Sequence, residues 1–177
     1  MSTRALSSLA LILAVSSFAL DASAQRRPID REGRFGVGLG IGSLPYGASW
    51  KYYMRDDQSI EGTIGPHLTD STARDGVIMA LDSAYLFEMP PLISANGIDL
   101  SWNVGAGMGF GVGRGGSFVF DASAVGGLVF LFHDLPMDFA VEYRPGLRFK
   151  DRQLYGTGTN LYFAYSRFGI HLRYYVR

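Results

Sequence analysis

One stretch of strict alternation limits the possible folds of this chain more than any other feature. Over residues 98–113, every second position from Asp99 to Gly113 is glycine or polar, and every position between them is apolar. Successive side chains of a strand point to opposite faces, so one face of this segment is apolar and the other is polar or bare. Strands average about 5–6 residues, far fewer than these 16. An apolar face toward lipid and a small or polar face toward a narrow lumen are what a transmembrane β-barrel strand requires.

The composition fits a single exported domain. The 177 residues include 16 basic and 16 acidic side chains, so the chain lacks the basic surface that nucleic-acid binding requires. Glycine accounts for 23 residues, roughly twice its usual share, and a crowded barrel interior would explain that excess. Cysteine is absent, which excludes disulfides and thiolate metal sites. We expect no cofactor and no bound metal.

The N-terminus has the pattern of a secretory signal peptide. A short basic start, Met1–Arg4, precedes an apolar run, Ala5–Leu20, and the small residues of Ala22–Ala24 fit a cleavage site. The run is shorter than the roughly 20 residues that a membrane-spanning helix needs. We therefore expect residues 1–24 to be a signal peptide and residues 25–177 to form one outer-membrane domain that meets the membrane with strands.

Alternation elsewhere in the chain predicts seven further strands, separated by turn sequences such as Arg55–Gln58. The pattern assigns Glu88–Gly97 to a loop, starts the sixth strand at about Ala122, and places Tyr162 on the outward face of the last strand. Each strand has about the 9–11 residues that a tilted strand needs to cross a bilayer. The predicted fold class is all-β, an eight-stranded antiparallel up-and-down transmembrane β-barrel.

Aromatic residues on the outward face gather near the predicted periplasmic ends of the strands. Such residues form a girdle where a membrane meets water. A soluble barrel of the lipocalin type would instead turn its apolar side chains inward. Here the aromatic-rich face alternates with glycine and charge, which favours the inverted arrangement. The expected girdle residues are Tyr52, Tyr85, Phe87, Phe132, Phe139 and Tyr174.

Ten ionisable side chains fall on the inward face. They must meet one another, because eight strands leave an interior just wide enough for side chains. Isolated buried charges are costly, so we predict an ion-pair network that seals the lumen. A narrow channel for a small solute is an alternative. The ten residues are Lys51, Glu61, Asp82, Asp99, Glu142, Arg144, Arg148, Arg167, His171 and Arg173.

One polar cluster at the outer end of the third strand is a candidate for catalysis. His67, Thr69 and Ser71 combine a base with two hydroxyl groups, with Asp70 between them, which leaves a lipid-modifying enzyme as a second alternative. Polar residues are the default at a loop, so we expect no catalytic residues and no enzyme activity. The G-x-G-x-x-G match at Gly111–Gly116 lacks the helix and βαβ unit of a dinucleotide site.

Several segments resemble a known architecture: Gly38–Gly42, Asp82–Leu86, Phe130–Asp138, Glu142–Pro145 and Gly169–Tyr175. Through them the chain resembles the small outer-membrane barrels of the OmpA/OmpX-like architecture. The resemblance implies a monomer in the outer membrane of a Gram-negative-type bacterium, inserted by the barrel-assembly machinery. Its partners would be outer-membrane lipids and lipopolysaccharide, and its role structural or surface-interacting. No particular activity is implied.

Overall fold

The computed structural model describes residues 31–41, 45–66, 77–113, 118–150, 160–165 and 167–176. The predicted signal peptide and the His67–Ser71 cluster lie outside these ranges. Eleven strands form the regular structure of the described residues: β1 (Phe35–Ile41), β2 (Tyr46–Arg55), β3 (Gln58–Gly65), β4 (Val77–Glu88), β5 (Ile93–Ala95), β6 (Ile98–Gly113), β7 (Phe118–Phe132), β8 (Met137–Tyr143), β9 (Gly146–Lys150), β10 (Asn160–Ala164) and β11 (Phe168–Val176). Within the same residues, no helix has the length and apolar character needed to span a membrane.

The strands close into an antiparallel barrel. β1 pairs with β2 on one side and with β11 on the other, where Phe35 lies opposite Val176. β8 and β9 both pair with β7 and are two halves of one barrel strand, and β10 and β11 are likewise halves of the next. β5 is a short additional strand on the edge of β6. Eight barrel strands result, as the sequence predicts.

The alternating segment forms the longest strand, β6, with the bounds read from the sequence. Ser101 and Asn103 are fully buried in the lumen, whereas Met108 and Phe110 are exposed on the outside. The other strands also carry mainly apolar side chains on the outer face, and β2, β3 and β11 turn mainly polar side chains inward. β7 differs, because its buried inward face includes Val119, Val125, Val129 and Leu131. The apolar outer face and the buried charges are the reverse of what a soluble lipocalin-like barrel has.

Inward glycines make room for large polar side chains. A Cβ at Gly127 would lie 2.6 Å from Asn103 Oδ1 and 2.9 Å from Glu142 Cγ, and one at Gly40 would lie 2.7 Å from His171 Nδ1. Real Cβ atoms do not approach other atoms so closely. At these two positions glycine is needed because neighbouring side chains already fill the lumen, which accounts for part of the glycine excess in the sequence.

Each of the last two barrel strands is interrupted, and the two interruptions lie opposite each other. Pro145 has no N–H to donate, and the chain there separates β8 from β9. Opposite it, β10 ends at Ala164, which pairs with Gly146, and β11 begins at Phe168, which pairs with Tyr143, so the register shifts by one residue as at a β-bulge. Phe163 and Tyr165 are exposed before the bulge, and Phe168 is exposed after it. The expected single outward parity of this strand is therefore wrong, and Tyr162 is among the residues whose side chains are not described.

Candidate functional site

Arg144 stands at the centre of the charged lumen. It follows β8 directly, and its Nε and Nη2 donate to Glu142 Oε2 at 2.8 and 2.7 Å. Nη2 also donates to Glu61 Oε1, and Nη1 lies 3.7 Å from Asp82 Oδ1. One guanidinium therefore faces carboxylates from β3, β4 and β8. These four side chains tie opposite walls of the barrel together.

Arg173, on β11, extends this cluster toward the end of the barrel where β1 begins and β11 ends. Its Nη1 donates to Glu61 Oε2 at 2.7 Å, and its Nε donates to Asp138 Oδ1 at 3.0 Å. The Tyr175 hydroxyl donates to the other oxygen of Asp138. Glu61 is thereby shared between two arginines, and both oxygens of Asp138 accept a hydrogen bond.

Lys51 forms a second branch of the network. Its Nζ lies 2.6 Å from Glu88 Oε1 and 4.0 Å from Glu61 Oε2. Ser59 Oγ donates to the same Glu88 oxygen at 2.6 Å. The ammonium also lies 5.1 Å from the centroid of the Tyr53 ring, within cation–π range. Lys51 is fully buried, and these contacts offset the cost of removing its charge from water.

His171 links a serine to a carboxylate. Its Nδ1 shares a 3.1 Å hydrogen bond with Ser49 Oγ, and its Nε2 lies 3.5 Å from Glu142 Oε2. These are the residue types of a hydrolytic triad. All three side chains are buried, however, and both the imidazole and Ser49 pack closely over Gly40. The arrangement orients the imidazole within the network.

Glu61, Glu142 and His171 also offer ligand atoms within 4.8 Å of one another, a spacing compatible with a metal. The Arg144 guanidinium already donates to both glutamates. A divalent cation bound there would lie close to this positive charge and be repelled. The Arg144 guanidinium therefore supplies the positive charge of this cluster, and we infer no metal site there.

Two smaller clusters lie away from the centre. Asp121 Oδ2 accepts from Arg167 Nη2 at 2.7 Å and from Arg148 Nη2 at 3.3 Å. Asp99 lies 2.9 Å from Nε2 of His133, in the turn after β7. Among the described residues, the lumen charges thus include a central network, a group around Asp121 and a group around Asp99.

The ten side chains predicted to face the lumen all belong to described segments. Nine are buried and Arg148 is half-buried. Seven join the central network: Lys51, Glu61, Asp82, Glu142, Arg144, His171 and Arg173. Arg148 and Arg167 share Asp121, and Asp99 pairs with His133.

Three lumen acids are absent from the predicted network. The sequence pattern assigns Glu88 to a loop, but it is the last residue of β4. Asp121 precedes the expected start of the sixth strand, which in the structure begins at Phe118. The pattern does place Asp138 on the inward face of the seventh strand, together with Glu142, and the structure agrees. All three are buried, and each pairs with a lumen cation.

The aromatic residues expected at the periplasmic girdle lie on the outer face, at the end of the barrel where β1 begins and β11 ends. Tyr85 donates from its hydroxyl to Gln58 Oε1 at 2.9 Å, and its ring meets that of Phe87 edge-on at 5.3 Å. Phe139 packs against Phe130 at 5.9 Å. Tyr52, Tyr85, Phe87 and Tyr174 are exposed, and Phe132 and Phe139 are half-buried.

Comparison with known proteins identifies no relative: no protein-family model matches this chain, no curated protein matches it, and no solved structure matches it. The barrel and the placement of its apolar and charged side chains are therefore the features from which a function can be inferred.

Proposed function

We propose that this chain is an outer-membrane β-barrel protein with a structural or surface-interaction role and a lumen sealed by ion pairs. The inversion of the barrel carries the proposal. Leu39 and Met108 are 72% and 63% exposed on the outer face, while Lys51 and Arg173 are 0% and 1% exposed inside. Large contiguous apolar surfaces are rare on soluble monomers. In lipid they are required, and a closed barrel satisfies every backbone hydrogen bond there.

The central network supports a sealed lumen. Glu61, Glu142 and Arg144 meet across the barrel axis, and His171 contacts Glu142 beside them. Each of these side chains is at most 2% exposed. Eight strands leave little interior space beyond what side chains fill. An ion-pair plug therefore fits this lumen better than a conducting channel does.

We also propose how this barrel reaches the outer membrane and what it contacts there. The chain would be exported by its signal peptide and inserted by the barrel-assembly machinery of a Gram-negative-type bacterium, as a monomer of OmpA/OmpX-like architecture. Its outer face would contact outer-membrane lipids and lipopolysaccharide. The lipid-modifying alternative depends on His67, Thr69 and Ser71, which lie outside the described residues, and it stays a sequence prediction.

A charge placed on the outer face tests the membrane setting. Met108 is in the middle of β6, and Met108→Arg would place a cation against lipid. We expect this change to lower the free energy of unfolding in phospholipid vesicles by about 2–4 kcal/mol. In a water-soluble protein, an exposed Met→Arg change would alter stability by no more than about 0.5 kcal/mol. Urea titration of the refolded protein measures the difference.

Leu135→Arg is the matched control. Leu135 is 55% exposed in the turn after β7, beyond the strands, so its replacement is expected to leave stability unchanged. Localisation is tested in parallel by membrane fractionation and by a gel on which the unboiled protein migrates faster than the boiled one. Equal stability of the two variants, or recovery of the protein in the soluble fraction, would contradict the proposal.

A further inference from the structure

A groove of about 600 Å³ lies on the outside of the barrel, across β6, β7 and β8. Gly126 of β7 forms its floor. Trp102 borders the groove on β6, and Tyr143 and Phe168 border it on the opposite side. The rings of Tyr143 and Phe168 lie 5.3 Å apart and form one continuous aromatic wall. The volume falls within the range of pockets that hold small ligands.

The groove exists because one outward glycine is left uncovered. Gly126 lies opposite Val104 on one side and Tyr143 on the other, so it shares their outward face. A Cβ placed on Gly126 would meet no atom within 4 Å. Gly62, also on the outer face, has its space filled, because the Trp50 ring would lie 2.7 Å from its Cβ. The open surface at Gly126 is therefore a particular feature of this wall.

We propose that this groove binds one hydrocarbon chain of a membrane lipid, an inference that rests on the proposed membrane function. Apolar side chains such as Val104, Leu128 and Val141 form its sides. Glu142 and Asn103 also border it, but they are on the inward parity of their strands and are buried. A ligand that needed hydrogen bonds or charge would find few partners outside. The groove is continuous with the exposed apolar face, so the lipid layer that would cover this face supplies its occupant.

Association of apolar groups within lipid depends on close packing, since hydrocarbon already surrounds them. A recess walled by aromatic rings offers an acyl chain more contacts than a convex surface does. A lipid in the groove would consequently exchange more slowly than its neighbours. It would also remain on the protein after mild detergent extraction.

Filling the groove tests this inference. Gly126→Leu places a side chain where open space exists, and Ala48→Leu adds bulk on the exposed face of β2, where its neighbours Leu39 and Ile64 are not groove residues. Each protein is refolded into vesicles of palmitoyl-oleoyl phosphatidylethanolamine and phosphatidylglycerol, extracted in mild detergent, and weighed by native mass spectrometry. We expect the unaltered chain and Ala48→Leu to retain one phospholipid. We expect Gly126→Leu to retain at least about threefold less.

Each other outcome has a definite meaning. Equal retention by Gly126→Leu and the unaltered chain, or equal loss in both variants, would overturn the groove assignment while leaving the membrane function intact. A dimer mass that disappears in Gly126→Leu would assign the groove to a second copy of the chain and overturn the lipid. Failure of all three proteins to enter vesicles would refute the proposed function itself.

Discussion

Replacing Arg144 by methionine should be among the most damaging single changes in the lumen. Arg144 donates three hydrogen bonds, two to Glu142 and one to Glu61, and it lies near Asp82. Methionine would fill part of the volume but leave these carboxylates without their shared cation. Removing one partner of a buried ion pair costs about 3–5 kcal/mol, because the remaining charge stays buried. We expect Arg144→Met to lower the free energy of unfolding by that amount.

The measurement is a urea titration of the protein in vesicles, followed by the fluorescence of its two tryptophans. Arg55→Met provides the matched control, because Arg55 is exposed at the end of β2. We expect this control to change stability by no more than about 0.5 kcal/mol.

A double variant separates electrostatics from packing. Adding Glu142→Gln to Arg144→Met removes one of the stranded carboxylates, so the double variant should recover about 1–2 kcal/mol of the loss. If Arg144→Met costs less than about 1 kcal/mol, the carboxylates do not depend on this guanidinium. If the double variant is no more stable than Arg144→Met, the lost free energy of unfolding comes from packing and not from carboxylates left without a cation.

Two further predictions follow from the lumen and its wall. Gly127→Ala should lower the free energy of unfolding by about 1–3 kcal/mol, because its Cβ would collide with Asn103 and Glu142. Gly126→Ala, on the open outer face, should raise the free energy of unfolding by about 0.5–1 kcal/mol. Equal urea midpoints for the two variants would contradict this prediction. In planar bilayers the unaltered protein should give no steady ion current; a current that changes on Glu142→Gln would instead establish the narrow-channel alternative.

The sequence predicted the strands and their faces well where alternation was strict. β6 has the bounds read from the pattern, because glycine and polar residues alternate with apolar ones over its whole length. The register shift between Ala164 and Phe168 left no comparable signal, since exposed aromatic side chains continue on both sides of it. Glu88 was missed because the following Pro90 and Pro91 indicated a loop, yet the strand continues up to Glu88.

The alternation of residues along a strand predicts which lumen residues face inward, but it does not predict which residue each of them pairs with. Arg173 reaches Glu61 across 112 residues of sequence, and Arg144 reaches the same glutamate across 83. Which side chains meet in a closed barrel depends on strand tilt and on the stagger of the hydrogen-bond register around the circumference. The stagger is set when the first and last strands pair, and the alternation of residues along a single strand does not encode it.

The ion pairs divide unevenly along the chain, and this affects how the barrel closes. Among described residues, β2–β4 bury one base and three acids, a net charge of −2: Lys51, Glu61, Asp82 and Glu88. Residues 137–176 bury three arginines and two acids, a net charge of +1: Arg144, Arg167, Arg173, Asp138 and Glu142, with His171 counted as neutral. We therefore expect the late strands and β2–β4 to attract each other before the barrel closes. Added salt should slow closure by screening this attraction.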